Sequence, residues 1–500
     1  MAVDYICPIM YRINSTVTSA LIGISLLFLA LSACKKDKFL TDASAKLQFS
    51  ASSILFDTVF TTVGSTTRLF TVYNKHSQPI RISNIWIARS TASNFRINVD
   101  GVAGTAFKDV EIAANDSLFV FAEVTVDPNK TNNPLIIRDS IVFETNGNKQ
   151  DVDLEAWGQD AYFHTPTVFP TNGLPPYSVI TCNSTWTSDK PHVIYGFAVV
   201  DSACTLTISQ GARIYMHPGA VLWVYKGGTL KVNETGTLQT PVTFQGDRLE
   251  PEYADAAGQW GYIWLSRGSK NNVINGSIIK NGTVGIIVDT LGNSPLPTLS
   301  ISNTIIKNMS VAALYGRGTF IKGWNCVFAN CQQYAGAFTL GGKYDFYHCT
   351  FANYWGGGNR KFSCLLLNNY YLVNKDTIHR PLDSAYFYNC IVYGDISSGD
   401  EIELDRNNKV AFKYKFHNCL LKTTLNTSSS SEYINPIINK EPYFTNVNGG
   451  DYSIRNPFAF DALIDKGDPS ISNLYPIDII GNSRITNQPG DLGAYEYKPF

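Results

Sequence analysis

The sequence predicts an all-β protein whose second half is a stack of short, coiled strands. A short phrase recurs six times there: a corner residue, a small residue, apolar residues and a polar end. The strands that precede these copies are short and are separated by glycine-centred corners. Aromatic residues make up 13% of the chain and charged residues only 16%, a composition that suits many short strands. The copies of the phrase begin at Gly276, Asn303, Asn325, His348, Asn389 and Asn418.

Length and charge limit the classes of function. A chain of 500 residues with 44% hydrophobic residues is long enough for two or three domains with substantial cores. Its formal net charge of −1 provides no long-range field for nucleic acid or anionic membranes. We therefore expect no nucleic-acid partner, and the sequence indicates no cofactor and no metal site.

The N-terminus has the order of features of an export signal. Arg12 precedes an apolar run over 17–31, and Ser32 and Ala33 stand immediately before Cys34. The run is too short and wrongly flanked for a membrane span. This pattern resembles the lipobox of bacterial lipoproteins, which implies that residues 1–33 are removed, that Cys34 carries lipid and that 34–45 is a tether. The alternative is an ordinary signal peptide with a coincidental cysteine.

The same resemblance predicts the location. Lys35 is not the acidic residue that can retain lipoproteins at an inner membrane, so an outer-membrane lipid anchor is expected. The stretch 35–38 resembles the surface-export tags of Bacteroidota lipoproteins only in part, which leaves both the periplasmic side and the cell surface open. The expected partners are the membrane, through the lipid, and a polysaccharide or a surface protein.

The sequence predicts seven or eight short strands over 46–160, and this number of short strands favours a β-sandwich. The order of Phe56-Asp-Thr-Val59, Val72-Tyr-Asn74, Phe95-Arg-Ile97, Asp127-Pro128 and Ala156-Trp-Gly158 resembles immunoglobulin-like modules of the Hydin and ASPM type. That resemblance implies a spacer or interaction domain. The Pro- and Thr-rich stretch that follows predicts a linker and N-terminal cap over 161–185.

Residues 186–445 carry the short strands and the recurring phrase. Strands this short satisfy their edges only by pairing with the next coil in parallel ladders. Together with the Asn-containing phrases, this resembles the right-handed parallel β-helix, the pectate-lyase-like fold. About ten coils at roughly 4.8 Å each predict a stack on the order of 50 Å long.

The period of two assigns the faces of the recurring strand. In each copy the second, fourth and sixth residues point inward. The corner asparagines among them are expected to bond neighbouring coils. The cysteines in the small-residue slot, Cys326, Cys349, Cys390 and Cys419, are expected to be inert core thiols. Cys182 and Cys204, about one coil apart, are a candidate disulfide.

The outward positions of the same strand are mostly apolar: Ile278, Ile305, Val327, Ile391 and Leu420. An apolar stripe of this size predicts a covering segment, which we expect to be an insertion within 355–388. Residues 446–500 are interpreted as a C-terminal cap, because solenoids must close their last coil. Their ending, Asp491-Leu-Gly-Ala-Tyr-Glu496, resembles a signature found after β-helices in bacterial surface proteins.

The segment 244–264 is the candidate ligand site, because it interrupts the coil with carboxylates and aromatic rings. Carboxylates hydrogen-bond to sugar hydroxyls, and aromatic rings pack against the apolar face of a sugar. The competing interpretation is a salt-bridged loop with ordinary strand packing. The candidate binding residues are Asp247, Arg248, Glu250, Glu252, Tyr253, Asp255 and Trp260, with Lys280 and Lys307 at equivalent positions one coil apart.

Two functions remain open at this stage. One is an outer-membrane or cell-surface lipoprotein whose β-helix binds a glycan or partner, or has a structural role. The other is a β-helix polysaccharide lyase or glycoside hydrolase acting on an extracellular polysaccharide. The catalytic phrases of polygalacturonases and an acidic calcium ladder are absent from the sequence. That absence favours the first function and leaves catalytic residues unassigned.

Overall fold

The computed structural model describes residues 38–498, except 61–64, 66, 126–134, 290–294, 375, 398, 456–457, 460–461 and 487–488. The predicted signal peptide, Cys34 and the start of the tether lie outside the described residues. No helix in the described part of the chain is long and apolar enough to cross a membrane. The chain divides into two compact units, with the boundary after Gly158.

The first unit is a β-sandwich of two five-stranded antiparallel sheets. Its strands are β1 (Gln48–Phe49), β2 (Ser53–Phe60), β3 (Arg68–Tyr73), β4 (Ile80–Ile87), β5 (Phe95–Val99), β6 (Val102–Gly104), β7 (Ala106–Ile112), β8 (Ser117–Val124), β9 (Leu135–Thr145) and β10 (Asn148–Gln159). Alternating apolar residues on the inner faces form one core, as the period of two requires. The sheet orders are β1-β3-β8-β5-β6 and β2-β10-β9-β4-β7.

The second unit is a parallel β-helix, so the predicted all-β fold class is confirmed. Its strands are β11 (Tyr162–His164), β12 (Tyr177–Val179), β13 (Thr185–Trp186), β14 (His192–Ile194), β15 (Phe197–Val200), β16 (Thr205–Ile208), β17 (Arg213–Met216), β18 (Val221–Val224), β19 (Thr229–Val232), β20 (Val242–Gly246), β21 (Tyr262–Leu265), β22 (Asn272–Asn275), β23 (Ser277–Lys280), β24 (Val284–Val288), β25 (Leu299–Ser302), β26 (Ile305–Met309), β27 (Ala312–Trp324), β28 (Val327–Cys331), β29 (Tyr334–Tyr347), β30 (Thr350–Asn353), β31 (Leu365–Asn368), β32 (Tyr370–Val373), β33 (Asp376–His379), β34 (Leu382–Tyr388), β35 (Ile391–Gly394), β36 (Ile402–Asp405), β37 (Phe412–His417), β38 (Leu420–Leu421), β39 (Tyr433–Ile434) and β40 (Ile437–Ile438). One short α-helix, α1 (Pro469–Leu474), follows the last coil.

The recurring phrase builds one face of the β-helix, which we call the repeat sheet. It stacks eleven strands in the order β11-β14-β17-β20-β23-β26-β28-β30-β35-β38-β40. The other strands form a second sheet of seventeen strands. The parallel ladder starts earlier than expected, inside 161–185, because β11 and β12 already pair with β14 and β15 of the next coil. Unpaired strand edges are costly, so each short strand adopts the register of the coil beside it.

The inward face of the repeat sheet is as predicted. Cys326, Cys349, Cys390 and Cys419 are free, fully buried thiols that line the central core with the apolar residues two positions later. Burial raises the pKa of the Cys326 and Cys390 thiols, because the thiolate loses its hydration. Cys326 and Cys390 therefore have little thiolate character, and all four cysteines are packing residues of the core.

Asparagine side chains brace two corners of the β-helix in several of its coils. At the residue before the repeat strand, Asn325 donates to Asn303 Oδ1 at 3.2 Å, and Asn435 donates to Asn418 Oδ1 at 3.3 Å, each from one coil to the preceding one. These asparagines have positive φ, a conformation that asparagine tolerates better than most residues. The predicted corner residues also bond across coils: Asn353 accepts from the Cys331 amide at 2.7 Å.

Cys182 and Cys204 form a disulfide in the structure, with their Cα atoms 4.8 Å apart. It links the loop between β12 and β13 to the equivalent loop one coil further on. The disulfide closes a loop with a sequence separation of 22, which restrains the unfolded chain. It lies near the N-terminal end of the stack, where a coil has a neighbour on one side only.

Most of the outward stripe of the repeat sheet is covered, but not by the expected insertion; Ile305 is only partly buried by the cover and Ile278 is half-buried. Val327, Ile391 and Leu420 are buried beneath residues 444–497, which we call the C-terminal strap. The strap therefore lies along the flank of the stack, which corrects its assignment as an end cap and the assignment of the cover to 355–388. The buried apolar residues of the strap are Tyr452, Ile454, Ala459, Ala462, Leu463, Ile464, Ile479, Leu492, Ala494 and Tyr495.

The insertion over 355–388 has a different structure. Strands β32 and β33 form an antiparallel hairpin that pairs with none of the other described strands. Tyr371, Leu372, Val373 and Ile378 in this hairpin are exposed, so its apolar side chains do not reach the stripe. The strap covers the stripe because it offers buried apolar residues together with hydrogen bonds to the repeat corners, including Asn418 Nδ2 to the Lys466 carbonyl at 2.9 Å.

Candidate functional site

The loop over 246–260 is held to the coils by its charged residues. His217 Nδ1 lies 2.7 Å from Asp247 Oδ2, and that carboxylate is almost fully buried. Burial raises the pKa of Asp247, while the hydrogen bond from His217 partly opposes that shift. Asp247 therefore anchors the start of the loop and is not available to a ligand.

The next residues of the loop contact each other. Arg248 Nε lies 3.3 Å from the buried Glu250 carboxylate, and its guanidinium carbon lies 4.0 Å from the centre of the Tyr253 ring. Glu252 lies exposed in the short 3₁₀ turn Pro251–Tyr253. Trp260 is a core residue with 1% exposure, and its Nε1 donates to the Lys280 carbonyl at 2.9 Å. These contacts are those of a folded loop with a buried tryptophan.

The end of the loop bonds to the repeat corners. Lys280 Nζ donates to the Ala254 carbonyl at 2.9 Å, and Asn308 Nδ2 donates to Asp255 Oδ1 at 2.9 Å. Burial lowers the pKa of the Lys280 ammonium; the Asp255 carboxylate partly opposes that shift, and the neighbouring Lys307 charge adds to it. Lys280 is thus part of the loop attachment, whereas Asp255 keeps one carboxylate face toward solvent.

Asp255 and Lys307 meet other side chains in a cleft of about 500 Å³, which we call the flank cleft. It is enclosed by the 246–260 loop, the corners of two repeat strands, the start of the 355–364 loop and a turn of the C-terminal strap. Its lining residues are Asp255, Ala256, Ala257, Lys307, Asn308, Ser310, Asn330, Gln332, Tyr354, Trp355, Gly356, Gly357, Val447, Asn448, Gly449 and Gly450.

The flank cleft combines free polar groups with an aromatic wall. Lys307, which has no hydrogen bond or ion pair within the described chain, faces the same cleft as Asp255 and the exposed amide of Gln332. Trp355 is only partly buried and offers ring surface. Tyr354 is nearly buried, and burial raises the pKa of its hydroxyl, so it stays neutral. One cation, one anion, several amides and a ring suit an uncharged polyhydroxylated ligand.

A second group of polar residues lies on the outward face of the seventeen-stranded sheet. Strand β36 turns Glu403 and Asp405 to the same side, about 6.6 Å apart along an extended strand. Asp405 accepts hydrogen bonds from Asn368 Nδ2 at 2.8 Å and the Tyr370 hydroxyl at 2.9 Å. Burial, with the nearby Asp405 charge, raises the pKa of Glu403. A carboxyl group with a raised pKa next to a hydrogen-bonded carboxylate is an arrangement that can serve acid–base chemistry.

Sequence reasoning found part of the flank cleft and missed the rest. Asp255 and Lys307 line it, while Asp247, Arg248, Glu250 and Trp260 do not. Sequence reasoning missed Trp355 and the 447–450 turn. Trp355 belongs to the insertion and the turn belongs to the strap, and the paths of these two segments do not follow from the repeat. Within the described residues, no three His, Cys, Asp or Glu side chains group as metal ligands would.

Comparison with known proteins identifies no family. No protein-family model matches the chain, and no curated protein matches it. The matched solved structures include the catalytic unit of a thermostable GH87 α-1,3-glucanase from Streptomyces thermodiastaticus, with 8% identity, a TM-score of 0.22, and coverage of 74% of this chain and 89% of that one. A family 123 glycoside hydrolase from Clostridium perfringens has 9% identity and a TM-score of 0.17, covering 24% of this chain and 30% of that one.

A PapD-like domain of human CEP192 also matches, with 10% identity and a TM-score of 0.16 over 25% of this chain and 92% of that domain. The match to the Clostridium glycoside hydrolase spans less than a third of that enzyme's length. Likenesses at these scores carry no argument about what this chain binds or catalyses.

Proposed function

We propose that this protein is an envelope lipoprotein whose β-helix binds an uncharged glycan in the flank cleft. The observation that carries the proposal is the cleft itself, where Lys307, Asp255 and the Trp355 ring face one space of about 500 Å³. Sugars are recognised by polar groups for hydroxyls and by a ring for the apolar face. The near-neutral pairing of one cation with one anion favours a neutral saccharide over a polyanion.

The test is binding of neutral and acidic oligosaccharides to the purified full chain by titration calorimetry. We expect Trp355→Ala to weaken binding of a neutral hexasaccharide about tenfold, since the stacking ring is removed. Trp157→Ala, at an exposed tryptophan of the sandwich, is the control. The proposal fails if Trp355→Ala binds as well as the Trp157 control.

The second candidate function is glycoside hydrolysis at Glu403 and Asp405. The observation that favours it is that both carboxylates lie on the same outward face of the strand. The Cα atoms of the two residues are about 6.6 Å apart along the strand. That spacing is near the lower end of the roughly 6.5–9.5 Å that separates the carboxyl groups of inverting pairs. The same samples are therefore scored for shortened products. Product formation by the wild-type chain that disappears in Glu403→Gln would replace the binding function with an enzymatic one; intact hexasaccharide in all samples supports binding alone.

The membrane anchor is a separate part of the proposal and rests on the lipobox-like Leu31-Ser-Ala-Cys34. Expression in a bacterium that processes lipoproteins, with tritiated palmitate in the medium, should label the wild-type chain and not Cys34→Ser. Equal labelling of both chains would exclude Cys34 as the lipidated residue. An unlabelled wild-type chain with a processed N-terminus would indicate an ordinary signal peptide.

A further inference from the structure

The N-terminal sandwich has a cleft of its own, also of about 500 Å³, on the outward face of the sheet β1-β3-β8-β5-β6. Its floor comes from β5 and β8, and the β5–β6 hairpin forms one side. We call it the sandwich cleft. Its lining residues are Thr67, Arg96, Ile97, Asn98, Gly101, Ala103, Gly104, Thr105, Phe121, Ala122 and Glu123.

Two opposite charges in the sandwich cleft are neighbours without being partners. Arg96 and Glu123 are directly opposite each other in the β5–β8 ladder. Residues so placed have Cβ atoms about 5 Å apart, and opposite charges there usually pair. Neither side chain makes an ion pair or hydrogen bond in the described chain, and both are exposed. A guanidinium and a carboxylate therefore stand free beside one another at the floor of a cleft.

An aromatic ring completes the floor. Phe121 is opposite Asn98 in the same ladder and has 37% of its surface exposed. At the open side, Gly101 adopts φ of +86°, and a Cβ atom there would meet nothing within 4 Å. The hairpin thus leaves open space beside Gly101, in the same cleft as the Phe121 ring.

We infer that the sandwich cleft is a second saccharide site, specific for neutral sugars. Arg96 and Glu123 can each take a pair of adjacent hydroxyls, one as donor and one as acceptor. Phe121 offers its face to the C–H side of a pyranose ring. The charges of Arg96 and Glu123 cancel. For a uronic acid polymer, the attraction to Arg96 is therefore offset by the repulsion from Glu123. The inference does not depend on the flank cleft, since it uses residues of the other unit.

The experiment uses the full chain carrying Trp355→Ala, so that loss of one site is not confused with loss of the other. Cellohexaose, laminarihexaose and chitohexaose are the neutral probes, and polygalacturonate is the acidic one. We expect Phe121→Ser to weaken binding of the preferred neutral probe about tenfold in this background. Arg96→Gln combined with Glu123→Gln should weaken it to a similar extent.

Phe119→Ser is the matched control, because Phe119 lies on the same face of β8, is 50% exposed and does not line the cleft. Equal affinities of the Phe119 and Phe121 variants, tight binding of polygalacturonate in preference to the neutral probes, or no binding before any sandwich substitution would each overturn the inference. If Trp355→Ala alone changes nothing but Phe121→Ser abolishes binding, the flank-cleft function fails and the sandwich site stands.

Discussion

Replacing Arg484 with alanine should detach the C-terminal strap and lower the free energy of unfolding of the β-helix by about 3 to 5 kcal/mol. Arg484 is completely buried in the strap. Its guanidinium donates to Glu496 Oε1 at 2.7 Å, to the Gly493 carbonyl at 3.0 Å and to Asn325 Oδ1 at 3.2 Å. The last contact joins the strap to the asparagine ladder of the repeat. Without Arg484, the Glu496 carboxylate is left buried without its cationic partner.

Urea unfolding followed by circular dichroism measures the loss, and limited proteolysis with mass spectrometry locates it. New cleavage sites should appear within 444–497 before the coils are cut. Arg455→Ala is the control, because Arg455 is an exposed arginine of the same strap. A double variant, Arg484→Met with Glu496→Met, should recover much of the stability, since removing both charges removes the desolvation cost. Equal midpoints for Arg484→Ala and Arg455→Ala would contradict the prediction.

The strap also explains which parts of the fold were open to sequence reasoning. The alternation of inward and outward residues and the recurring phrase reflect contacts between neighbouring coils. Because every coil makes the same contacts, the residues that make them recur along the sequence. The inward Cys326 and Phe328 and the outward Val327 were therefore assigned correctly. What covers Val327 depends on a single, non-repeating contact with residues more than a hundred positions away. No period in the sequence carries that information.

The candidate site divides along the same line. Asp255 lies in a loop that interrupts the repeat, and Lys307 occupies a defined position of the repeat strand. The sequence pattern therefore pointed to both residues. Trp355 lies in an insertion whose path depends on a buried ion pair, and Gly449 and Gly450 lie in the strap. Conversely, Asp247 and Trp260 looked like ligand residues because sugar sites and loop anchors use the same residue types. Only burial separates the two uses, as at Asp247 beside His217.

Glu401→Ala should destabilise the β-helix by about 3 to 5 kcal/mol and should also impair the flank cleft. Arg360 and Glu401 form a two-pronged ion pair with both side chains buried, at 2.9 Å and 2.5 Å. Glu401 also accepts from the amides of Cys364 at 3.0 Å and Ile396 at 2.9 Å. Alanine would thus leave a buried guanidinium and two backbone donors unsatisfied.

The effect on binding follows from the position of Arg360. It closes the loop that begins at Trp355, and it donates to the Phe362 carbonyl within that loop at 2.7 Å. Freed from Glu401, the loop no longer fixes the Trp355 ring at the cleft wall. We therefore expect Glu401→Ala to weaken binding of a neutral hexasaccharide as strongly as Trp355→Ala does, although Glu401 is not a lining residue of the cleft.

Asp395→Asn separates this effect from a general loss of charge around Arg360. Asp395 contacts the same guanidinium at 3.2 Å, but its side chain is 47% exposed, so the exchange should cost less than about 1 kcal/mol. Urea midpoints and hexasaccharide affinities are measured for both variants. A Glu401→Ala chain that unfolds like Asp395→Asn would refute the stability prediction. A destabilised but folded Glu401→Ala chain with wild-type affinity would show that Trp355 is positioned by other contacts.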